Sequence, residues 1–498
     1  MKSKWHILLV IIFMYLPISL DATILYVVAP VLSTQLQASH NQLLWIMDIY
    51  PLVMAALLLP MGSLGDRIGY KKMAIAGSLL FGIASLAAAC ARSAEILIAA
   101  RALLAVGAAM IVPATLAAVR KNFINEKDRN MALGIWTTIG TGGALAGPLV
   151  GGALLNYFYW GSVFLVNIPV VCVVLILIHR GLPDEKGGTN KPVNLSQGLL
   201  LMSTVLILIY AAKNFLHHDN SPLVSIYLFM VGLVLLGGFT TIQIVSRSPL
   251  LDIGLLTQRN IIAGVILALT SMITLVGFEL VISQELQFVH RFTPAQAGMY
   301  IMPLMLASCL AGPFAGYLIN SFGIKNIAVA GLAASALSLY ALSDIDFVDQ
   351  SAKAWLWMMV LGAGDTVALM ASSSAIMTAA PANKASSAGS IEGMSYELGT
   401  GLGITIFGSV LAGVYSSTVR LPENLSGTAY VSASTSFSEA VEVARHLDEA
   451  SREALLKAAS SAFMQSHTVM LQSASLILMV LMILTFFIFK QGNAVNHG

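Results

Sequence analysis

Charge is what this chain has least of. Lys, Arg, Asp and Glu make up 10% of its 498 residues, where a soluble globular domain carries about 25%. Apolar residues fill 57% of the positions and the mean hydropathy is +0.83, which excludes a water-soluble fold and describes a chain with lipid as its solvent. The net charge of +2, with basic residues scattered through short loops, excludes a nucleic-acid partner. Cysteine is almost as scarce: Cys90, Cys172 and Cys309 fall in three different apolar runs without paired spacing, so neither a disulfide framework nor a thiolate metal centre is expected. Paired metal ligands, a nucleophile with its base and a phosphate-binding loop are also missing, which disfavours an enzyme. His217-His218-Asp219 comes nearest to a metal cluster and reads as solvated loop. Catalytic residues, metals and cofactors are accordingly expected to be none. Met1-Lys2-Ser3-Lys4 has the charge of a leader, but the apolar run behind it is too long and lacks a convincing cleavage site. It reads as an uncleaved first span, and with no organellar targeting segment the expected location is the bacterial cytoplasmic (inner) membrane.

What the chain does have is long apolar runs, and fourteen of them reach the roughly 20 residues needed to cross a bilayer. Their limits are about 7–32, 43–63, 73–91, 96–119, 131–155, 160–179, 195–213, 223–245, 261–286, 294–318, 326–343, 354–379, 389–415 and 468–489. They are continuous and about twice too long for barrel strands, so the fold class is an all-α membrane protein. With the N-terminus inside, the inner segments hold 17 Lys and Arg. The short outer segments hold four (Arg92, Lys213, Arg291, Lys353), and the long segment before the last span adds Arg420, Arg445, Arg452 and Lys457. This bias predicts that both termini are cytoplasmic. The inner stretch Asp184–Pro192 (DEKGGTNKP) is a natural boundary between halves. The expected organisation is 1–192 as an N-terminal six-helix bundle, 193–259 as two inserted helices, and 260–498 as a C-terminal six-helix bundle. An extracellular insert is expected at about 416–466, with one or two short amphipathic helices within 438–462.

Acids inside these runs are the strongest functional signal. Asp21 stands in the middle of the first run with no compensating charge beside it, and an ionised carboxylate near a bilayer centre costs about 2.5–3.5 kcal/mol. Such a residue faces a protein or aqueous interior and points to transport. Asp48, Glu279, Asp365, Glu392 and Glu397 are further intramembrane acids, whereas Glu285 lies near the outer end of its span and reads as wetted there. Glu392 and Glu397 are five residues apart, about 140° of rotation and 7.5 Å of rise, so they line successive depths of a cavity rather than chelating one ion.

Three motifs narrow the family. Between the second and third spans, Gly62-Ser63-Leu64-Gly65-Asp66-Arg67-Ile68-Gly69-Tyr70-Lys71-Lys72 frames a tight inner turn with glycines and an acid placed to latch a neighbouring helix end or an Arg. Positive-inside bias explains Arg67, Lys71 and Lys72 but not the Gly and Asp frame. Arg101 puts a charge inside the fourth run; the bland reading is a snorkelling Arg at the helix end. The fifth run has Gly140-Thr141-Gly142-Gly143-Ala144-Leu145-Ala146-Gly147-Pro148-Leu149-Val150-Gly151-Gly152, with small residues at four-residue spacing for close helix contact and a bend at Gly147-Pro148. With LDATILYVVAP in the first run, WIMDIYPLV in the second and WGSVFLVNIP at the sixth, the whole chain resembles the major facilitator superfamily. Within it, the chain resembles the fourteen-helix drug:proton antiporter branch of QacA- and SmvA-like quaternary ammonium exporters. Tyr26 departs from that branch's usual Asn.

The resemblance implies a major facilitator fold and a gating role for Gly62, Asp66, Arg67, Gly69, Lys71, Arg101, Gly147, Pro148 and Gly151. The second half echoes the loop only weakly, with Asn320 and Ser321 standing where Asp66 and Arg67 stand. The expected function is proton-coupled efflux of lipophilic cations such as quaternary ammonium biocides and cationic dyes. The proton gradient drives it, Asp21, Asp48, Glu279, Asp365, Glu392 and Glu397 carry protons or cations, and Tyr26, Trp45, Trp136, Tyr396 and Phe407 line the path. Protons, cationic small molecules and lipid are the expected partners, with a monomer sufficient. The alternatives are a proton-coupled exporter of amino acids, siderophores or other metabolites and, behind that, a passive channel or uniporter.

Overall fold

Lipid offers a backbone no hydrogen bonds, so each apolar run must satisfy its own N–H and C=O groups, and it does so as a helix. The computed structural model describes residues 4–183, 194–217, 222–246, 249–381, 384–422, 425 and 427–489. The linker 184–192 and His218-Asp219 lie outside the described residues. The first half contains α1 (Lys4–Gln35), α2 (His40–Ile68), α3 (Tyr70–Ala89), α4 (Ala94–Asn122), α5 (Glu126–Tyr157), α6 (Ser162–Leu165) and α7 (Asn167–Gly181). Then come α8 (Leu195–His217) and α9 (Pro222–Val245). The second half contains α10 (Arg259–Phe288), α11 (Pro294–Phe322), α12 (Ile324–Leu342), α13 (Ser351–Ala379), α14 (Ala385–Thr418), α15 (Gly427–Thr435), α16 (Phe437–Ala444) and α17 (Glu449–Ile488). Thirteen helices among the described residues are long and apolar enough to cross a membrane. They match thirteen of the fourteen expected spans, and α5 covers the remaining one, 131–155.

The helices cluster into two units, Met1–Leu251 with Thr293–Met299, and Asp252–Phe292 with Tyr300–Gly498. In the first, α1 packs on α5, α4 on α2 and α3, and α8 on α2 and α9. In the second, α10 packs on α13 and α14, and α12 on α13 and α17.

Each unit uses the same two kinds of glycine contact. In the first, Gly77 of α3 and Gly107 of α4 approach so closely that a Cβ on either would lie 3.0 Å from the other's carbonyl oxygen. In the second, Gly331 of α12 and Gly364 of α13 do the same, at 2.8 and 3.0 Å. The α1–α5 seam has its counterpart in α10–α14, where a Cβ on Gly403 would meet the Ile273 carbonyl at 2.8 Å. The inner turns match too: Gly69 and Gly323 each end one helix and start the next with φ of 96° and 81°, a conformation that glycine alone adopts without strain. The internal echo is therefore clearer in the contacts than in the loop sequences, because helix approach needs only the absence of a side chain.

One expectation needs correction. Lys213 is not in an outer loop: it lies within α8 with its side chain fully buried. Asp448 caps a helix that runs without interruption from Glu449, before the expected last span, to Ile488. Forty residues make a helix of about 60 Å, twice the roughly 30 Å hydrocarbon layer, so the first turns of α17 belong to the insert. Among the described residues, α15 and α16 are the separate helices of the insert.

Candidate functional site

In the first unit the intramembrane acids have found cations. Asp21 of α1 is 2% exposed and forms an ion pair with Arg101 of α4, itself 2% exposed. Arg101 also donates from Nε to the Ile46 carbonyl of α2 at 3.2 Å and places its guanidinium 4.6 Å from the centre of the Tyr50 ring. Asp21 is thus not uncompensated, and Arg101 does not snorkel to the helix end. The two residues were separately readable as functional, but eighty positions of sequence hid their pairing.

Asp48 of α2 makes a second buried pair, with Lys213 Nζ at 2.6 Å and both side chains wholly inaccessible. The ammonium lies 4.2 Å from the centre of the Trp45 ring, so Trp45 faces the inserted helix α8, and Tyr210 of α8 is its aromatic neighbour. Some 15 residues earlier in α8, Gly198 sits against Pro60 of α2, where a Cβ would meet the proline ring at 2.5 Å. The inserted helix is fastened to α2 at two levels. Lys213 is a site residue that sequence reasoning missed, and the signal was available: the apolar run resumes after it with Phe215 and Leu216.

The glycines of the fifth span meet α1 on the turns around Asp21. A Cβ on Gly147 would lie 2.1 Å from Thr23 Oγ1 and 2.9 Å from the Leu20 carbonyl oxygen; one on Gly151 would lie 2.7 Å from Ile24. Thr23 donates its hydroxyl to the Ala144 carbonyl at 2.7 Å, tying the seam together. Pro148 is buried beside it. Trp136 stacks on Tyr15 at 4.3 Å and donates to Thr115 of α4 at 3.1 Å, while Tyr26 is buried within α1. At the inner turn, a Cβ on Gly62 would lie 3.7 Å from the Pro113 ring, and buried Lys71 donates to the His179 carbonyl at 3.4 Å. Asp66 and Arg67 are exposed, and among the described residues of their own unit neither is ion-paired.

The second unit differs in kind. Asp365 of α13 is fully buried and accepts from Ser335 of α12 at 2.8 Å, with its second oxygen unpartnered among the described residues. Glu279 of α10, 4% exposed, lies close enough for the two carboxyl charges to act on each other. On α14, Glu392 accepts from Tyr396 of the same helix at 2.7 Å, and Glu397 is half-buried one turn further on. Phe407 packs its ring on Gly277 of α10, which is a helix contact rather than an open wall. Among the described residues, none of Glu279, Asp365, Glu392 and Glu397 has a cationic partner. Four acids without a counter-ion among the described residues, on helices of an apolar bundle, ask for cations or protons from outside.

Glu285 is not wetted. It is fully buried between His467 of α17 and His290 of the α10–α11 connection, and these two histidines were not singled out from sequence.

Two helical units that repeat one set of contacts, and that hold titratable groups within apolar bundles, have the architecture of a membrane transporter. The family model described as Major Facilitator Superfamily matches residues 11–404. The chain belongs to that superfamily. It is 50% identical to the Methyl viologen resistance protein SmvA of Salmonella typhimurium over 97% of both chains. It is 34% identical to the Multidrug efflux pump LfrA of Mycolicibacterium smegmatis over 92% of this chain and 91% of that one. Among solved structures, a bacterial homolog of the human lysosomal transporter Spinster shares the fold with a TM-score of 0.70 at 17% identity, covering 99% of this chain and 100% of that one. The protein is a multi-pass membrane transporter.

Proposed function

We propose that this protein is a drug efflux antiporter of the bacterial cytoplasmic membrane that exchanges protons for lipophilic cations, among them quaternary ammonium compounds and cationic dyes. The observation that carries the reading is the contrast between the units. Asp21 and Asp48 are neutralised by Arg101 and Lys213, whereas Glu279, Asp365, Glu392 and Glu397 have no cation among the described residues. A carboxylate held out of water needs a partner, and a greasy cation or a proton can each supply one, but not both at once. Exchange then follows from competition for the same oxygens, with no bond chemistry. The relatives support this: one is named for resistance to methyl viologen, a flat dication, and another as a multidrug efflux pump.

Asp21 takes a different part in this scheme. Its charge is already spent on Arg101, so a proton arriving there releases the guanidinium from α1 instead of displacing a drug. That makes it a coupling acid acting through Arg101, next to the glycine seam along which α1 and α5 touch. Anionic substrates fit less well, because the two deeply buried cations of the first unit are engaged and the second unit presents acids. The lysine and arginine bias supports an inward N-terminus, and no cofactor beyond the proton gradient is needed.

The test is ethidium efflux from energised cells carrying Asp365→Asn or Glu397→Gln, with membrane abundance measured alongside. Efflux should fall about tenfold, the equivalent of 1.4 kcal/mol of lost attraction. Undiminished efflux in both variants, or wild-type efflux indifferent to collapse of the pH gradient, overturns the reading.

A further inference from the structure

Outside the central acids, one group of titratable side chains has no part in the scheme so far. Glu285 stands six residues after Glu279 on α10, about 9 Å further along the helix. Its Oε2 is in contact with His467 Nδ1, and its Oε1 lies 3.6 Å from His290 Nε2. Glu285 is fully inaccessible and His467 nearly so at 3%, whereas the His290 side chain keeps 14% of its surface. Glu285 therefore bridges an accessible histidine and a buried one. His467 Nε2 is buried and has no hydrogen-bond partner among the described residues, which leaves a proton-binding position open on the buried histidine.

The surroundings fit proton traffic and little else. From the connection between α12 and α13, Asp346 and Asp349 face His290, and from the α10–α11 connection Arg291 is exposed beside it. Asp346 stays ionised because the backbone N–H groups of Asp349 and Val348 hold its carboxyl below the ordinary range. From α11, the Tyr300 hydroxyl lies within the field of Glu285 but is committed to the Phe347 carbonyl. From α16 the charged groups are Glu439, near Tyr415 of α14, and Glu442, which is paired with Arg445. Hydrogen bonding and charge from Glu285, helped by Asp346 and Asp349 against the cost of burial, raise His290 above its ordinary value. Aromatic rings close the sides: Phe347 packs at 5.4 Å on His467, and Phe437 of α16 bridges Phe288 and Phe463 at 5.5 and 5.6 Å. The insert thus roofs a buried polar line with apolar rings, leaving His290 as its accessible member.

We infer that His290, Glu285 and His467 form a proton-binding site at the end of the second unit that the charge distribution assigns to the outside, distinct from the central acids and loading protons for exchange. His290 takes a proton from outer water, Glu285 receives it, and buried His467 shares it; only a proton moves, and no other reactant is required. The inference rests on the antiport reading above.

The experiment uses the full-length protein in proteoliposomes with ethidium. Ethidium exchange at equal pH reports substrate handling, and transport driven by an imposed pH gradient reports coupling. Glu285→Gln and His467→Gln should keep exchange within about twofold of wild type and lose about a hundredfold of gradient-driven transport, the low end of what a positioned proton-transfer group supplies. His290→Gln should shift the outer-pH midpoint of driven transport rather than abolish it. Driven transport equal to wild type in the Glu285 and His467 variants overturns the site. Loss of exchange together with drive in all three variants also overturns it, since the cluster would then serve only to hold α10 and α17 together. If wild-type protein itself shows no gradient-driven transport, the antiport reading fails first, and the two failures are told apart by that control.

Discussion

Replacing Lys213 with Met should destabilise the protein far more than replacing Lys213 and Asp48 together. The ammonium sits 2.6 Å from the Asp48 carboxylate, and neither side chain has any accessible surface. Lys213→Met keeps most of the stem and its packing, so the loss is electrostatic. It leaves a buried carboxylate without its ammonium, which costs about 3–5 kcal/mol. The ring of Trp45, 4.2 Å from the ammonium, loses a desolvated cation contact of about 2 kcal/mol, part of it already counted in the ion pair. Changing Asp48→Leu in the same chain removes the stranded charge, and apolar replacement of a whole buried pair is commonly neutral or stabilising. The double variant should therefore recover most of the loss, giving an interaction energy of at least about 2 kcal/mol in a double-mutant cycle. Reversible unfolding of purified protein in mixed detergent micelles measures it. A Lys213→Met cost below about 1 kcal/mol, or a double variant whose cost is the sum of the singles, would refute the claim that this pair is a buried, mutually dependent fastening between α2 and α8.

The α1–α5 seam predicts a difference between two neighbouring glycines. Gly147→Ala must push a methyl group against the Leu20 carbonyl and Thr23, at a cost of about 1–3 kcal/mol and with loss of transport, whereas Gly142→Ala, which meets no atom within 4 Å, should be tolerated; equal thermal stability and efflux in the two variants would contradict the seam. The pH dependence of stability has a definite sign at the α10–α11 connection. His290 is raised above its ordinary value, so its contribution is full below about pH 6.5 and disappears as pH climbs through the higher folded value. Thermal unfolding between pH 5.5 and 8.5 should show this decline in wild type and a flatter profile in His290→Gln, and identical profiles would count against the contact. Arg101→Gln and Asp21→Asn each leave one member of the buried pair without its partner, and each should lose most gradient-driven efflux; efflux at the wild-type level from either variant in a proteoliposome assay would show that the pair is not coupled as described.

Hydrophobic length is a local property, and the helices follow from it almost residue by residue. The glycine frame of the inner turn was legible for the same reason: a positive φ at Gly69 and Gly323 is a demand on one residue. Partnership was not legible. Asp21 reads as an uncompensated acid in any window of its own helix, and only packing of α1 on α4 shows that Arg101 answers it. Lys213 was miscounted because a lysine at the end of an apolar run looks like the start of a loop, and burial by α2 is what makes it interior. Glu285 was read as wetted from its depth alone, which takes no account of a histidine arriving from α17, 182 residues later in the chain (467 − 285). Aromatic residues were the least legible: Trp45, Trp136 and Phe407 each turned out to be engaged with a neighbouring helix, because a large ring suits a helix contact as well as a cavity wall.

That protons and lipophilic cations compete for the unpaired carboxyls of the second unit is measured most directly by proton release. Purified protein in weakly buffered detergent, given a quaternary ammonium compound, should release protons in a saturable manner, and Asp365→Asn with Glu397→Gln should reduce that release while leaving the protein folded. Binding of the compound without any proton release at every pH between 5.5 and 8.5 would contradict the account, since cation and proton would then not share a site.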